Sequence, residues 1–250
     1  MGKLKKPLCF ALAMAPIGAV AGYFTILYQL DFLGAEIIGQ AVSQLGSLEA
    51  LIAVYIVQTV GYALFCGFFG YLLANCLGLM RSFRLKKRSL LITLVLSLVG
   101  GILFSLDYWT FGAWIPGLRE VTDLTMSLHV ILASVLYGGI IEELMLRLFM
   151  MSLIAFLLWK LFFRKKETAP TGVIAAANVI AAILFAAWHL PATAMTFGAL
   201  TPLLLLRCFL LNGGFGLLFG WLYRKFGIQY AMLSHGVLHI VSKLIWFVFL

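Results

Sequence analysis

The chain has 250 residues, of which 64% are hydrophobic and only 11% are charged. Soluble globular domains are roughly half apolar and about a quarter charged, so this composition excludes a water-soluble globular protein. The formal net charge is +9, but the basic residues form short clusters between apolar runs, as in the loops of membrane proteins. We therefore predict a protein whose partner is the lipid bilayer, and we expect no nucleic-acid partner.

Seven apolar segments follow one another along the chain. They cover residues 8–30, 50–80, 89–106, 124–163, 172–190, 203–222 and 228–250. Each must be helical where it meets lipid, because unpaired backbone groups are too costly there. The segments predict an all-α, polytopic transmembrane bundle of about seven spans. We assign residues 1–250 to a single domain, with N-terminal spans at 8–106 and a motif-bearing core at 124–250.

The first segment and the loops indicate the orientation. Residues 1–21 would also fit a cleaved signal peptide, but the apolar run continues to Leu30, so we expect a retained span. With a cytoplasmic N-terminus, fourteen Lys and Arg residues lie inside and only Arg119 lies in an outside loop. This bias predicts an inside N-terminus and an outside C-terminus. The short loops, the compact size and four cysteines without CxxC spacing indicate an integral protein of a prokaryotic plasma membrane.

The fourth segment is too long for a simple crossing. Forty residues of helix would extend about 60 Å, twice the hydrocarbon thickness. Two crossings would place the basic cluster at 164–166 outside. We therefore expect one crossing that is tilted, or broken at Gly138-Gly139 with a half-helix dipping into the membrane. Residues 191–202 are a second candidate for a re-entrant segment.

Charged side chains inside this segment are candidates for function. Glu143 and Arg147 are four residues apart, so they share a helix face and can form an ion pair. Glu142 points about 100° away from Glu143 and has no local counter-charge. A poorly hydrated carboxylate is suited to take a proton from water. The alternative is an ion pair that only locks helices together, with an inert second glutamate.

Three histidines follow in the later spans. His189 lies four residues after Phe185, and His235 and His239 share one face of the last segment. A single buried histidine is more often a packing residue. Two carboxylates, one arginine and three histidines within a hundred apolar residues exceed what packing explains. For His129, at the start of the fourth segment, we predict a structural or interfacial role.

Together these residues form an ordered set of motifs. The set resembles the CPBP family, the CAAX-processing and bacteriocin-processing intramembrane peptidases, also called Abi proteins. The family pattern is EExxxR, FxxxH and HxxxN (or Asp) on successive transmembrane helices. The corresponding residues here are Glu142, Glu143, Arg147, Phe185, His189, His235 and His239. The first two motifs match without change, and the resemblance covers residues 124–250.

The resemblance implies an intramembrane endopeptidase that cleaves a lipidated or leader-peptide substrate in the membrane. Glu142 would activate the attacking water together with His189, while Glu143 and Arg147 hold the site in shape. His235 would polarise the scissile carbonyl and stabilise the oxyanion. Position 239 is usually Asn in the family. A neutral imidazole can also donate one hydrogen bond, so His239 can serve the same purpose.

Other interpretations remain open at this point. His189, His235, His239 and one glutamate would also make a zinc set, although the resemblance favours an enzyme without a cofactor. The change at His239 leaves room for a non-catalytic immunity or sensor protein of the same fold. A small transporter with a proton relay would require duplicated halves, which the sequence lacks.

The simplest topology places the candidate residues at different depths. Glu142 lies at mid-span, His189 near the outer end and His235 nearer the inner end. Catalysis needs the groups within hydrogen-bond reach of one water molecule. A kink at Gly138-Gly139, a tilted long helix or different segment boundaries would each bring these depths together, and the sequence does not choose among them.

Overall fold

The computed structural model describes residues 2–33, 35–84, 86–124 and 127–250. Throughout these ranges every regular element is a helix, and seven helical stretches are long and apolar enough to cross a membrane. The predicted all-α bundle with seven spans is therefore confirmed.

The helices are numbered in chain order. They are α1 (Gly2–Phe32), α2 (Ala35–Leu45), α3 (Leu48–Cys76), α4 (Lys87–Ser105), α5 (Leu118–Leu124), α6 (Leu128–Phe162), α7 (Thr171–Trp188), α8 (Leu190–Phe197), α9 (Pro202–Phe226) and α10 (Ile228–Phe249). Short 3₁₀ turns at Leu106–Tyr108 and Phe111–Ala113 continue α4. Helices α7 and α8 form one span with a turn at His189.

Local sequence explains several of these boundaries. The Ser47 hydroxyl accepts a hydrogen bond from the Ala50 N–H at the start of α3, a typical N-cap. Thr201 caps α9 in the same way, and Pro202 occupies its first turn. Gly227, with a φ of 116°, makes the sharp turn between α9 and α10.

Helix α6 departs from ordinary α geometry along nearly half of its length. The stretches Ser134–Glu142 and Leu144–Met151 are π-helical, with ordinary α-helix before and after them. Of the two alternatives expected for this crossing, a break at Gly138-Gly139 is not found, because the helix passes through both glycines without interruption. A π-wound segment is rare and often marks a functional site.

The predicted second re-entrant candidate, 191–202, is mostly helical. After the turn at His189 the chain continues as α8, and Gly198 ends that helix with a φ of 76°. Its placement relative to the bilayer stays a prediction.

Helix α6 lies at the centre of the bundle and contacts α1, α3, α7, α9 and α10. Close approach depends on small residues, as expected where lipid removes the hydrophobic driving force between helices. A Cβ added at Gly70 of α3 would lie 2.9 Å from the backbone carbon of Leu148 in α6. A Cβ added at Gly139 of α6 would lie 3.0 Å from the Cα of Gly236 in α10.

Two ion pairs join helices near the predicted outer side. Arg207 of α9 donates Nε to Asp107 Oδ1 at 2.8 Å and Nη2 to Oδ2 at 2.5 Å. Asp107 is buried, whereas its sequence position predicts an exposed loop residue. His129 contacts Asp31 at the end of α1 and Ser127 beside it, which agrees with the structural role predicted for this histidine.

Replacing Gly70 by alanine should destabilise the contact between α3 and α6. The new methyl group would meet the Leu148 backbone, which cannot move as a side-chain end can. Such overpacking costs about 1–3 kcal/mol. We expect an apparent melting temperature several degrees lower in detergent. Gly61→Ala is the matched control, because a Cβ at Gly61 in the same helix meets no atom within 4 Å. Equal melting temperatures for the two variants would contradict this packing.

Candidate active site

The centre of the site is the Glu143 carboxylate on the π-wound part of α6. Its side chain is fully buried, and its Oε1 lies 3.1 Å from Arg147 Nη1. The same oxygen lies 2.9 Å from His235 Nδ1 on α10. The sequence therefore predicted the pair within α6 correctly. The structure adds that one oxygen also ties α6 to α10.

Arg147 is held by aromatic rings as well as by Glu143. The guanidinium carbon lies 4.4 Å from the Phe185 ring centroid and 5.4 Å from that of Phe219. Neither terminal nitrogen makes a hydrogen bond within the described residues. Cation–π attraction is strongest where the charge is desolvated, and Arg147 is 1% exposed. The first residue of the FxxxH motif thus supports the arginine of the first motif.

The contact with Glu143 fixes the hydrogen on His235. An ionised carboxylate only accepts hydrogen bonds, so Nδ1 carries the proton and Nε2 is left free. The ring stacks on Phe219 at 4.4 Å between centroids and on His239 at 5.0 Å. His235 is therefore oriented by a carboxylate and clamped on both faces.

Gly138 leaves space beside the free nitrogens of two histidines. A Cβ at this position would lie 3.4 Å from His239 Nε2 and 3.6 Å from His235 Nε2. Both Nε2 atoms therefore point toward the same strip of bare backbone on α6. The other nitrogen of His239, Nδ1, is buried without a hydrogen-bond partner in the described part of the chain. A side chain at position 138 would therefore be in van der Waals contact with both Nε2 atoms.

His189 occupies the turn between α7 and α8. Its Nδ1 lies 2.8 Å from the Phe185 carbonyl oxygen, which can only accept, so Nδ1 donates. Nε2 then carries the lone pair and is available as a base. The ring is half-buried, and its edge contacts Phe185 at 4.8 Å between centroids.

Glu142 differs from its neighbour in accessibility and partners. It is half-buried, and within the described residues it makes no hydrogen bond or ion pair. It lies within electrostatic range of Arg147 and Tyr137. The two adjacent glutamates thus have different environments. Glu143 is fully buried and paired with Arg147, whereas Glu142 is only half-buried and unpaired among the described residues.

The sequence placed Glu142 and His235 at different depths in the membrane, but α6 and α10 meet directly at this site. Helix α6 has 35 residues, about 52 Å of ordinary helix, so the midpoint of the segment does not define its depth in a bilayer about 30 Å thick. Glu143 and His235 are in direct contact. Phe185 lies one helical turn before His189. Its ring contacts Arg147 and makes an edge-type contact with the His235 ring.

Sequence reasoning did not identify two contributors to this site. Phe219 of α9 lies under both Arg147 and His235, and Gly216 of the same helix lets the Arg147 guanidinium approach closely. Glycines at 213, 214, 216 and 220 were the available signal, since small residues in a span indicate close packing.

The alternative zinc set consists of His189, His235, His239 and one glutamate. In the described ranges no three His, Cys, Asp or Glu side chains are grouped so as to hold a metal ion. His235 and His239 stack face to face, and one nitrogen of His235 is occupied by Glu143. Metal dependence stays a prediction that activity measurements must test.

The comparison with protein families agrees with the geometry. Residues 124–241 match the Rce1-like family, described as type II CAAX prenyl endopeptidase Rce1-like. The match covers slightly less than half of the chain and contains all of the motif residues. The matched region runs from the end of α5 past His239 and confirms the resemblance to CAAX-processing peptidases. This is a family of proteases with membrane-embedded protein substrates, and the first three spans lie outside the match. No curated protein and no solved structure matches the chain.

Removing Glu143 should destabilise the Rce1-like core through the charge it leaves behind. In Glu143→Leu, Arg147 remains buried without a carboxylate, which typically costs about 3–5 kcal/mol. We expect a large drop in the apparent melting temperature. The double variant Glu143→Leu/Arg147→Met should recover much of it, because both buried charges are gone. A double variant no more stable than the single one would contradict this account.

Proposed function

We propose that the protein is an intramembrane endopeptidase in which Glu142 activates water to hydrolyse a peptide bond of a lipidated membrane substrate. The observation that carries the proposal is the contrast between two adjacent glutamates. Glu143 is buried and bound to Arg147 and His235, whereas Glu142 is half-buried and unpaired among the described residues. Only the second carboxylate is free to take a proton.

Glu142 and His189 together activate the water molecule, with Glu142 as the base and His189 as a second hydrogen-bond acceptor. A water molecule donates one hydrogen bond to the Glu142 carboxylate and another to the lone pair on His189 Nε2. As its oxygen attacks the scissile carbonyl carbon, one proton passes to Glu142 and the other stays on the oxygen, which gives a tetrahedral intermediate. Protonated Glu142 then gives its proton to the departing amine nitrogen, and the peptide C–N bond breaks. The carboxylate is regenerated, as general acid–base catalysis requires.

His235 and His239 provide donors for the oxyanion. His235 donates through Nε2 when its ring is protonated, and the Glu143 carboxylate at Nδ1 stabilises that imidazolium. His239 donates through Nε2 in the neutral form. Both nitrogens border the bare backbone at Gly138, so the carbonyl oxygen of the substrate would lie there. Preorganised donors of this kind contribute a large share of catalysis in a dry site.

The orientation and the substrate belong to the same proposal. The basic clusters at 81–88 and 164–166 are exposed where described, and we place them with the N-terminus on the cytoplasmic side of a prokaryotic plasma membrane. The substrate is a prenylated or otherwise lipidated peptide, with leader peptides as the second class to test.

Glu142→Gln should abolish cleavage, because an amide cannot accept the proton from water. In detergent we expect a loss of at least about 10³-fold in kcat/KM, at the upper end for a general base. Substrates should include a farnesylated peptide and a leader peptide. The control is Glu167→Gln, an exposed glutamate in the loop after α6, which should cleave at the wild-type rate.

A parallel reaction with a metal chelator separates the two chemistries. Loss of wild-type cleavage with the chelator would favour the zinc-dependent enzyme. Full cleavage by Glu142→Gln would refute the catalytic role of this residue. If the wild type cleaves none of the substrates, the non-catalytic immunity or sensor protein would be favoured.

Position 239 provides a second test of the oxyanion donors. His239→Asn restores the residue usual in the resembling family and keeps one donor, so we expect activity within about tenfold of wild type. His239→Ala removes the donor and should lower kcat by about 10²–10³-fold. Equal activity of the two variants would show that His239 gives no hydrogen bond in the transition state.

A further inference from the structure

Five exposed cations lie in the loop between α3 and α4 and at the start of α4. We call them the basic loop, and they are Arg81, Arg84, Lys86, Lys87 and Arg88. None of the five forms an ion pair within the described residues. Like charges at this spacing repel one another. The basic loop is therefore stabilised by anions that the described part of the chain does not supply.

Hydrogen bonds to α10 hold the backbone of the basic loop in place. The Lys86 N–H donates to the Tyr230 hydroxyl at 2.7 Å, and this hydroxyl donates to the Arg84 carbonyl oxygen at 3.4 Å. Tyr230 itself is 1% exposed. Gln229 Nε2 donates to the Ser82 carbonyl oxygen at 3.0 Å. The cations are thus carried by a backbone that is tied to a buried side chain.

Two further contacts bind the basic loop to neighbouring helices. The centroid of the Phe83 ring lies 5.6 Å from that of Phe10 in α1. A Cβ added at Gly227 would lie 3.0 Å from Arg81 Cβ, so the loop also packs against the turn between α9 and α10. Lys225, two residues before that glycine, is a further exposed cation. Positive charge from two connections therefore gathers at one place on the surface.

The helix dipole favours cations at two other basic clusters but not at the start of α4. Residues 164–166 follow the C-terminal end of α6, and Lys225 lies in the last turn of α9, where cations are stabilised. Lys86 is the N-cap of α4, and Lys87 and Arg88 begin the helix. This end has no side-chain cap and no acidic residue in its first turn. Free N–H groups and adjacent cations together favour an anion.

We propose that the basic loop and the start of α4 bind the phosphate of an anionic phospholipid. Arginine side chains bind phosphate through two parallel hydrogen bonds, and basic clusters immediately beside a transmembrane helix attract anionic headgroups. The loop directly connects two membrane-spanning helices, which places it at the level of the headgroups. The inference does not depend on the proposed peptidase function.

A free phosphate ion has the same chemistry, but the surroundings favour a lipid. Leu91 and Leu94 follow the basic residues along α4 and are 64% and 40% exposed. Acyl chains of a lipid whose phosphate lies at the start of α4 can contact these side chains. A free ion gains nothing from them, so the apolar surface distinguishes the two sources.

The test measures the melting temperature in neutral detergent during titration with cardiolipin, phosphatidylcholine or inorganic phosphate. A ligand that binds the folded state raises this temperature. We expect cardiolipin to raise it for wild type, and the two other additions to leave it unchanged at equal phosphate concentration. The rise should shrink as salt is added, because salt screens exposed charges.

Two triple variants separate a specific site from general positive charge. Lys86→Gln/Lys87→Gln/Arg88→Gln should bind cardiolipin about a hundredfold more weakly, as expected for three cations near an anionic headgroup. Arg164→Gln/Lys165→Gln/Lys166→Gln removes the same charge from the other cluster and should change the affinity less than about threefold. Without lipid, neither variant should melt earlier than wild type, since the Lys86 contact uses the backbone N–H.

Tyr230→Phe tests whether the conformation of the loop matters. It keeps every cation but removes the hydroxyl that binds Lys86 and Arg84, so we expect cardiolipin to bind severalfold more weakly. Equal losses in the two triple variants, or wild-type affinity in both the 86–88 variant and Tyr230→Phe, overturn the site. An equal rise with inorganic phosphate overturns the lipid as its ligand, and no rise of the wild type with cardiolipin overturns the whole inference.

Discussion

One oxygen atom holds the functional half of the molecule together. Glu143 Oε1 contacts Arg147 of the same helix and His235 of α10, and the Glu143 side chain is fully buried. Two buried charges are tolerated only because they meet each other and because Phe185 and Phe219 cover the guanidinium. The last span, the FxxxH helix and α9 are therefore all positioned relative to one carboxylate.

Glycine makes this arrangement sterically possible. Gly139 and Gly236 bring α6 and α10 into backbone contact, Gly216 admits Arg147, and Gly138 keeps the space beside two histidine nitrogens open. In a bilayer, small residues replace the hydrophobic effect as the basis of helix association. The glycines that pack the bundle thus also surround the residues for which chemistry is proposed.

Charge is distributed sparingly through the bundle. Arg147 and Arg207 have fixed carboxylate partners, and these pairs serve as permanent links between or within helices. Glu142 and Lys243 lack such partners among the described residues.

The sequence by itself determined the seven spans, the pairing of Glu143 with Arg147 and the resemblance to CAAX-processing peptidases, because hydropathy, helical periodicity and motif order are local properties of the chain. It could not reveal the contact of His235 with Glu143, the pairing of Asp107 with Arg207, or the burial of Lys243, since each depends on residues far apart in sequence. It also left open whether the long fourth segment is tilted or broken at Gly138-Gly139. The helix continues through both glycines, and α10 packs directly against them, which only the tertiary structure decides.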